Sequence, residues 1–189
     1  IAQKDPFILY RIKNLLGLNV SLIKMKNNLD SYCYSLKFSD KDTYERLEGL
    51  GLCPNKSLSI KFPNMPAEFL GGFIRGLFDG DGSYGSGRAR LATSSKDFAD
   101  GLKASLESAG FSVRISETPK SSTRKNIAFT VSVSASKAEL IKFYNFLYRG
   151  ATIFLPTKHD QLRNNLSIDP LYGVPIAKPT QTMVANAAL

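Results

Sequence analysis

Asp79 and Asp81 are separated by one glycine and followed by another, in the run Phe69-Leu-Gly-Gly-Phe-Ile-Arg-Gly-Leu-Phe-Asp-Gly-Asp-Gly-Ser-Tyr84. Carboxylates gathered this way suit a hard divalent cation, which takes oxygen ligands from carboxylates, backbone carbonyls and water. A helix C-terminal turn is the competing reading, because Asp and Gly are both favoured in turns. The residues ahead of the pair weigh against the turn alone. Gly72 and Gly76 stand four apart on one face of an apolar helix, where each glycine costs about 0.5–1 kcal/mol relative to alanine. Close approach of a second helix offsets that cost, and two such helices would bring two Asp-Gly-Asp clusters side by side. Gly72, Gly76 and Phe73 are therefore the expected pairing surface. Phe69, Phe73 and Phe78, at helical spacing, are expected to pack rather than to line a ligand pocket.

The elements that must position this run repeat along the chain. Phe7 to Gly17 has a helical pattern ending at glycine, followed by the alternating run Leu18 to Leu22; Phe98 to Gly110 and Phe111 to Ile115 have the same order. Second strands are expected at Tyr32 to Phe38 and Ile127 to Val133, each followed by a helix, Lys41 to Leu50 and Ala138 to Tyr148. Each unit closes on a Pro-x-Lys, reaching Lys56 in the first and Lys158 in the second. The second unit alone carries the glycine-rich helix and a strand, Ser83 to Thr93, ahead of these elements. Asp81 precedes Gly110 by 29 residues, and the equivalent position before Gly17 falls outside the chain. Two expectations follow: the polypeptide is a fragment of a longer one, or it uses one such motif per subunit. The organisation read here is a partial first repeat over 1–63, a complete repeat over 64–166 and a tail over 167–189.

Composition narrows the partners. Lys and Arg number 25 against 16 Asp and Glu, a net charge of +9 on 189 residues, which suggests a polyanion such as nucleic acid; a merely solubilising surface is the alternative. Cys33 and Cys53 lack the spacing of a zinc or redox motif and fit a reducing compartment. His159 is the single histidine, so a histidine-rich metal site is excluded; beside Lys158 it reads as a surface or hydrogen-bonding residue and is left out of the site. Neither a membrane-spanning stretch nor a signal-peptide pattern is present, so an intracellular, non-secreted protein is expected.

Ile74-Arg-Gly-Leu-Phe-Asp-Gly-Asp-Gly82 resembles the signature nonapeptide of the LAGLIDADG homing endonucleases, with Gly76, Leu77, Asp79, Asp81 and Gly82 in their expected places and Ile-Arg in place of the leading Leu-Ala. The repeated helix-strand-strand-helix context resembles that family's αββαββα unit over nearly all of residues 6–166. The resemblance implies an α+β fold whose antiparallel sheet binds DNA, preceded by a truncated repeat of the same unit. It also implies that Asp81 is the metal-binding carboxylate, with the Gly80 carbonyl a second ligand, and that Lys158 is the basic residue near the attacking water. Lys56, the counterpart of Lys158, would face the other half-site. Asp79 is read as supporting the turn. The implied metal is Mg2+ or Mn2+, with Ca2+ as a non-cleaving substitute.

Phosphodiester hydrolysis needs an activated water and neutralisation of developing charge, and divalent metals supply both. The strands supply a surface for reading a duplex. Arg114, Ser116, Thr118 and Lys120 fall on alternate positions, as do Thr130 and Ser132, Ser35 and Lys37, and Arg88 and Arg90, so each set shares a sheet face. Such a face fits the major groove, where Arg reads guanine; the solvated outer face of any antiparallel sheet is the alternative. Lys120, Arg124 and Lys125, in a hairpin loop, would contact phosphates. The expected function is a site-specific double-strand DNA endonuclease of a mobile intron or phage, acting as a homodimer through the motif helix or with an upstream repeat. A non-catalytic nucleic-acid-binding protein of the same fold, a maturase or a transcriptional regulator, is the first rival. An intein-embedded endonuclease is the second, disfavoured because no protein-splicing block of cysteine and histidine occurs.

Overall fold

The computed structural model describes residues 2–4, 6–26, 32–53, 56–122, 125–169 and 174. In chain order the elements are β1 (Ala2–Gln3), α1 (Pro6–Leu15), β2 (Ile23–Lys26), β3 (Tyr32–Ser35), α2 (Lys41–Gly49), a 3-10 turn at Lys56–Leu58, α3 (Ala67–Asp81), β4 (Ser83–Gly85), β5 (Arg88–Thr93), α4 (Lys96–Ser108), β6 (Val113–Thr118), β7 (Ala128–Val133), α5 (Lys137–Tyr148) and α6 (Pro156–Leu166). From α3 to α5 the order is αββαββα, as the resemblance implies. All strand pairs are antiparallel, in a three-stranded sheet β1-β3-β2 and a four-stranded sheet β4-β5-β7-β6.

The internal repeat is visible in how the helices stop. Gly17 and Gly110 both adopt positive φ, and the residue after each donates its N–H five residues back, Leu18 to Lys13 and Phe111 to Leu106, both at 3.0 Å. This left-handed cap satisfies carbonyls that the helix end leaves without partners, and glycine adopts it at no steric cost. Gly51 and Gly150 terminate α2 and α5 in the same backbone region. The starts agree as well: Asp40 caps α2 by accepting from Thr43 N–H at 2.8 Å, and Ser136 caps α5 by accepting from Glu139 N–H at 3.2 Å.

Two strand expectations are corrected. The run Ser83 to Thr93 is a hairpin, not one strand, because Ser86 and Gly87 both take positive φ, the conformation of a tight two-residue turn whose twist matches the flanking strands. In the first unit Leu18 to Leu22 lies outside the ladder and the strand begins at Ile23; Leu18, Val20 and Leu22 pack against the small core of Ile8 and Leu9 of α1, Leu36 and Leu155. The alternation there reports which side chains are buried, not which amides are paired.

The main core lies between the four-stranded sheet and α3 to α6. Ile74 and Phe78 of α3, Leu102 and Leu106 of α4, Phe143 and Leu147 of α5 and Leu162 of α6 meet Leu91, Val131 and Val133 of the sheet. Ile168, placed in the tail by sequence, is 2% exposed and joins this core, so the packed unit extends past 166. A smaller core in the first unit holds Ile8, Leu9 and Leu36, and Leu155 from the α5–α6 loop enters it. Arg11 of α1 also donates to the Thr152 carbonyl, so this loop joins the two units.

Candidate active site

The site is organised at the C-terminal end of α3. The two aspartates of the motif differ sharply in environment. Asp79 is 7% exposed; its two carboxylate oxygens accept from the Tyr148 hydroxyl at 2.7 Å and the Leu155 amide at 2.8 Å. Burial pushes its carboxyl above the usual range, while these two donors and the charge of Arg75 pull in the opposite direction. Burial also raises the Tyr148 phenol, which keeps its proton and donates it. Asp79 thus joins the end of α3 to α5 and to the residue that begins α6. This agrees with the structural role read for it from sequence, though it braces tertiary packing and not only a local turn.

Asp81, the last residue of α3, is exposed. Lys158, in the first turn of α6, donates its ammonium to the Gly82 carbonyl, one residue beyond Asp81. Gln161 of α6 reaches the Tyr84 carbonyl at 3.4 Å, a second contact of α6 with the segment following the motif. The structure therefore brings Lys158 to the end of the motif helix from 76 residues away in sequence. Lys56 lines a cavity of about 230 Å³ together with Leu77 and Asp81, so both repeat-related lysines lie near this helix end.

Asp81 and the Gly80 carbonyl offer hard oxygen donors at an exposed edge, which suits Mg2+ or Mn2+. They are two donors where such a cation takes about six. Among the described residues no group of three or more His, Cys, Asp or Glu side chains is gathered anywhere. The remaining ligands of a bound metal would have to come from phosphate, water or a second motif.

Gly72, Gly76 and Gly80 are all exposed on one face of α3, and a Cβ added at Gly76 or Gly80 would meet nothing within 4 Å. This face borders a cleft of about 280 Å³ lined also by Ile8, Ile12, Ile153 and Leu155. The close helix approach inside the chain is at the neighbouring Gly71, where a Cβ would sit 2.9 Å from the Phe146 carbonyl oxygen of α5. Sequence spacing singled out Gly72 and Gly76 and missed Gly71, whose distinguishing signal is only that it flanks the other face. Phe73 and Phe78 pack in the core, Phe73 edge-on to Phe62 at 5.4 Å and not among the residues lining the Gly72 and Gly76 cleft, which corrects its expected place on the pairing surface; Phe69 is 63% exposed at the helix start, a correction to its reading as a packing residue.

The four-stranded sheet aligns the expected reading residues into rows. Ser83, Arg90, Ser132 and Arg114 are successive cross-strand partners, one row spanning all four strands; Ala92, Thr130 and Ser116 form the next. Val113, Ile115, Leu91 and Val131 point the other way, into the core. Arg114, Ser116, Thr118, Lys120 and Lys125 are exposed and Arg88, Arg90 and Thr130 half-buried. Arg90 is turned back to the Gly85 carbonyl at 2.7 Å. Ser132 is buried between its two arginine partners. Arg124 lies outside the described residues. In the three-stranded sheet Ser35 is 3% exposed, and its face carries Ile23, Met25 and Cys33, which offer no strong donors to a base edge. Lys37 is exposed beyond the paired segment.

Comparison with known proteins bears on the fold. Residues 68–147 match the family of LAGLIDADG-like domains. Among solved structures, I-DmoI bound to DNA and Ca superposes with a TM-score of 0.55 at 17% identity, covering 87% of this chain and 81% of that one. Mesophilic variants of the homing endonuclease I-DmoI give 0.54 at 19% identity over the same shares, and I-DmoI bound to DNA and Mn gives 0.51 at 18%, covering 78% of each chain. At these identities the likeness establishes the fold. No curated protein matches the sequence.

Proposed function

From residues 68–147 as a LAGLIDADG-like domain, we propose that the protein is a site-specific endonuclease that hydrolyses both strands of a DNA duplex with a divalent metal. The observation that carries this reading is the division of labour at the end of α3: Asp79 is consumed by packing, while Asp81 stays exposed with the Lys158 ammonium one residue away. A structural turn would not need the second acid.

Asp81 and the Gly80 carbonyl would hold the metal, which when bound lowers the pKa of water and neutralises charge on the phosphate oxygens. Lys158 adds a fixed positive charge beside that position, able to stabilise the phosphate as negative charge develops. The Arg90–Ser132–Arg114 row and its neighbours face the duplex: Arg88, Arg90 and Arg114 suit guanine, and Ser116, Thr118 and Thr130 adapt to several bases. Lys120, Arg124 and Lys125 meet phosphates, and Lys37 extends the contact on the first sheet. One motif supplies half of a two-strand centre, so a second motif helix is expected on the Gly72 and Gly76 face, from a second copy of the chain or an upstream repeat. I-DmoI is described in complexes with DNA and with Mn or Ca, the chemistry proposed here. An intracellular site, in the host of a mobile intron or phage, follows from this activity.

The test is cleavage of a randomised duplex library with Mg2+, followed by Asp81→Asn. Loss of cutting of at least about 100-fold is expected, with DNA affinity retained because the sheet supplies the contacts. Retained cutting in Asp81→Asn would overturn the site. Binding without cutting by the unaltered protein would instead favour a non-catalytic nucleic-acid-binding role.

A further inference from the structure

The first turn of α6 carries Lys158 but its N-cap residue, Leu155, offers no side-chain cap; Lys158 N–H and His159 N–H both donate to the Leu155 carbonyl at 3.1 Å, and the side chain that anchors this start, Asp79, holds the Leu155 amide and not the turn that follows it. An uncapped turn carrying a long, rotamer-rich lysine is a poor mount for a group that must be placed closely. His159 compensates. Its side chain is only 15% exposed, and both ring nitrogens are engaged, Nε2 with the Tyr144 hydroxyl at 2.7 Å and Nδ1 with the Asp160 carboxylate at 2.9 Å. The ring lies against Phe154, with centroids 4.5 Å apart and planes at 30°, and meets the Tyr148 ring edge-on at 5.0 Å. Tyr148 in turn holds Asp79.

We propose that His159 is a positioning residue that locks the first turn of α6 onto α5 and so fixes where Lys158 leaves the helix toward the Gly82 carbonyl; this rests on the role given to Lys158 above. With the Nδ1 proton held by Asp160, Nε2 accepts from Tyr144, so a single flat ring ties α6 to α5 by one hydrogen bond to Tyr144 and one edge-on contact with Tyr148, and lies along Phe154 of the α5–α6 loop. Neither lysine nor proline in this turn can make such a lateral tie. The backbone of His159 adjoins that of Lys158, so rotation of the turn about the helix axis moves the ammonium directly.

Two variants and two readouts test it. Tyr144→Phe removes only the hydroxyl that meets Nε2, and His159→Ala removes the whole tie. The first readout is the rate at which a water-soluble acetylating reagent modifies Lys158, read by peptide mass spectrometry against Lys103 on α4 as reference. Release of the lysine from the Gly82 carbonyl should speed modification of Lys158 several-fold in both variants and leave Lys103 unchanged. The second is single-turnover cleavage of the DNA target, expected to fall about tenfold in each variant at unchanged DNA affinity, because small displacements of a reacting group are costly. In a Lys158→Ala background Tyr144→Phe should have no further effect, whereas a merely structural histidine would add its loss independently. Unchanged Lys158 modification in Tyr144→Phe, or additive losses, would overturn the proposal. If His159→Ala does not fold, Tyr144→Phe decides alone. If the unaltered protein cuts no DNA, the nuclease reading fails while the modification rates still decide whether His159 positions Lys158.

Discussion

Tyr148 and the Leu155 amide each donate to one oxygen of Asp79, and a methyl group in place of the carboxylate would leave both donors buried without a partner. Asp79→Ala is expected to lower the free energy of unfolding by about 1–3 kcal/mol, measured by urea denaturation. Asparagine can satisfy the same surroundings: its carbonyl accepts from Leu155 while its amide donates to a reversed Tyr148 hydroxyl, so Asp79→Asn should cost less than alanine does. The comparison also has a pH dependence of defined sign. Burial raises the folded pKa of Asp79 above its ordinary 3.8, so the folded state favours the neutral acid. The stability gained from that preference is full below the unfolded pKa and lost as pH climbs through the raised folded value. Relative to Asp79→Asn, the unaltered protein should therefore become more stable as pH falls from neutral toward about 4. A difference that moves the other way would mean that the two donors outweigh burial. The role of Asp79 as a support was legible from its place in the turn; its partners were not, because Tyr148 and Leu155 lie 69 and 76 residues away and no local pattern links them.

Along α3 the glycines divide by face, and substitution should separate them. Gly71→Ala places a methyl group 2.9 Å from the Phe146 carbonyl, so α5 must shift, and a net destabilisation of about 1–3 kcal/mol is expected despite alanine's better helix propensity. Gly76→Ala meets open space and should stabilise the isolated chain by about 0.5–1 kcal/mol. Equal effects at the two positions, followed by thermal unfolding, would sink the assignment of Gly71 to the internal contact and of Gly76 to an open face. Periodicity made the helix readable from sequence, but i and i+4 spacing finds a face and not its neighbour. The strands divide in the same way. Alternation placed Arg114 and Ser116 on the outer face because β6 is paired along its length; the same alternation at Leu18, Val20 and Leu22 marked packing on α1, with pairing starting only at Ile23. Ser35 alternated correctly too, yet its neighbours Ile23 and Met25 make that face apolar, which no reading of one strand could reveal.

At the scale of the whole molecule, the exposed Gly72, Gly76 and Gly80 face borders a cleft lined by the apolar Ile8, Ile12, Ile153 and Leu155 and by Arg75 and Asp79 of α3 itself. A helix seated there would touch α1 and the α5–α6 loop as well as α3, and would bring its own acidic end toward Asp81. If the occupant is a second copy of this chain, sedimentation should give twice the 20.8 kDa of one chain at micromolar concentration. The unfolding midpoint should then rise with protein concentration, since association stabilises only the folded form. Gly76→Leu would fill the face, and is expected to yield the single-chain mass, to remove the concentration dependence, and to leave the unfolding of that single chain cooperative. Gly76→Ala sharpens the outcome, because the substitution that stabilises the isolated chain should weaken the pair by holding two helix backbones apart. A single-chain mass at every concentration, with cutting intact, would mean that one motif suffices. The same mass with cutting restored only by a longer polypeptide would assign the cleft to an upstream helix instead.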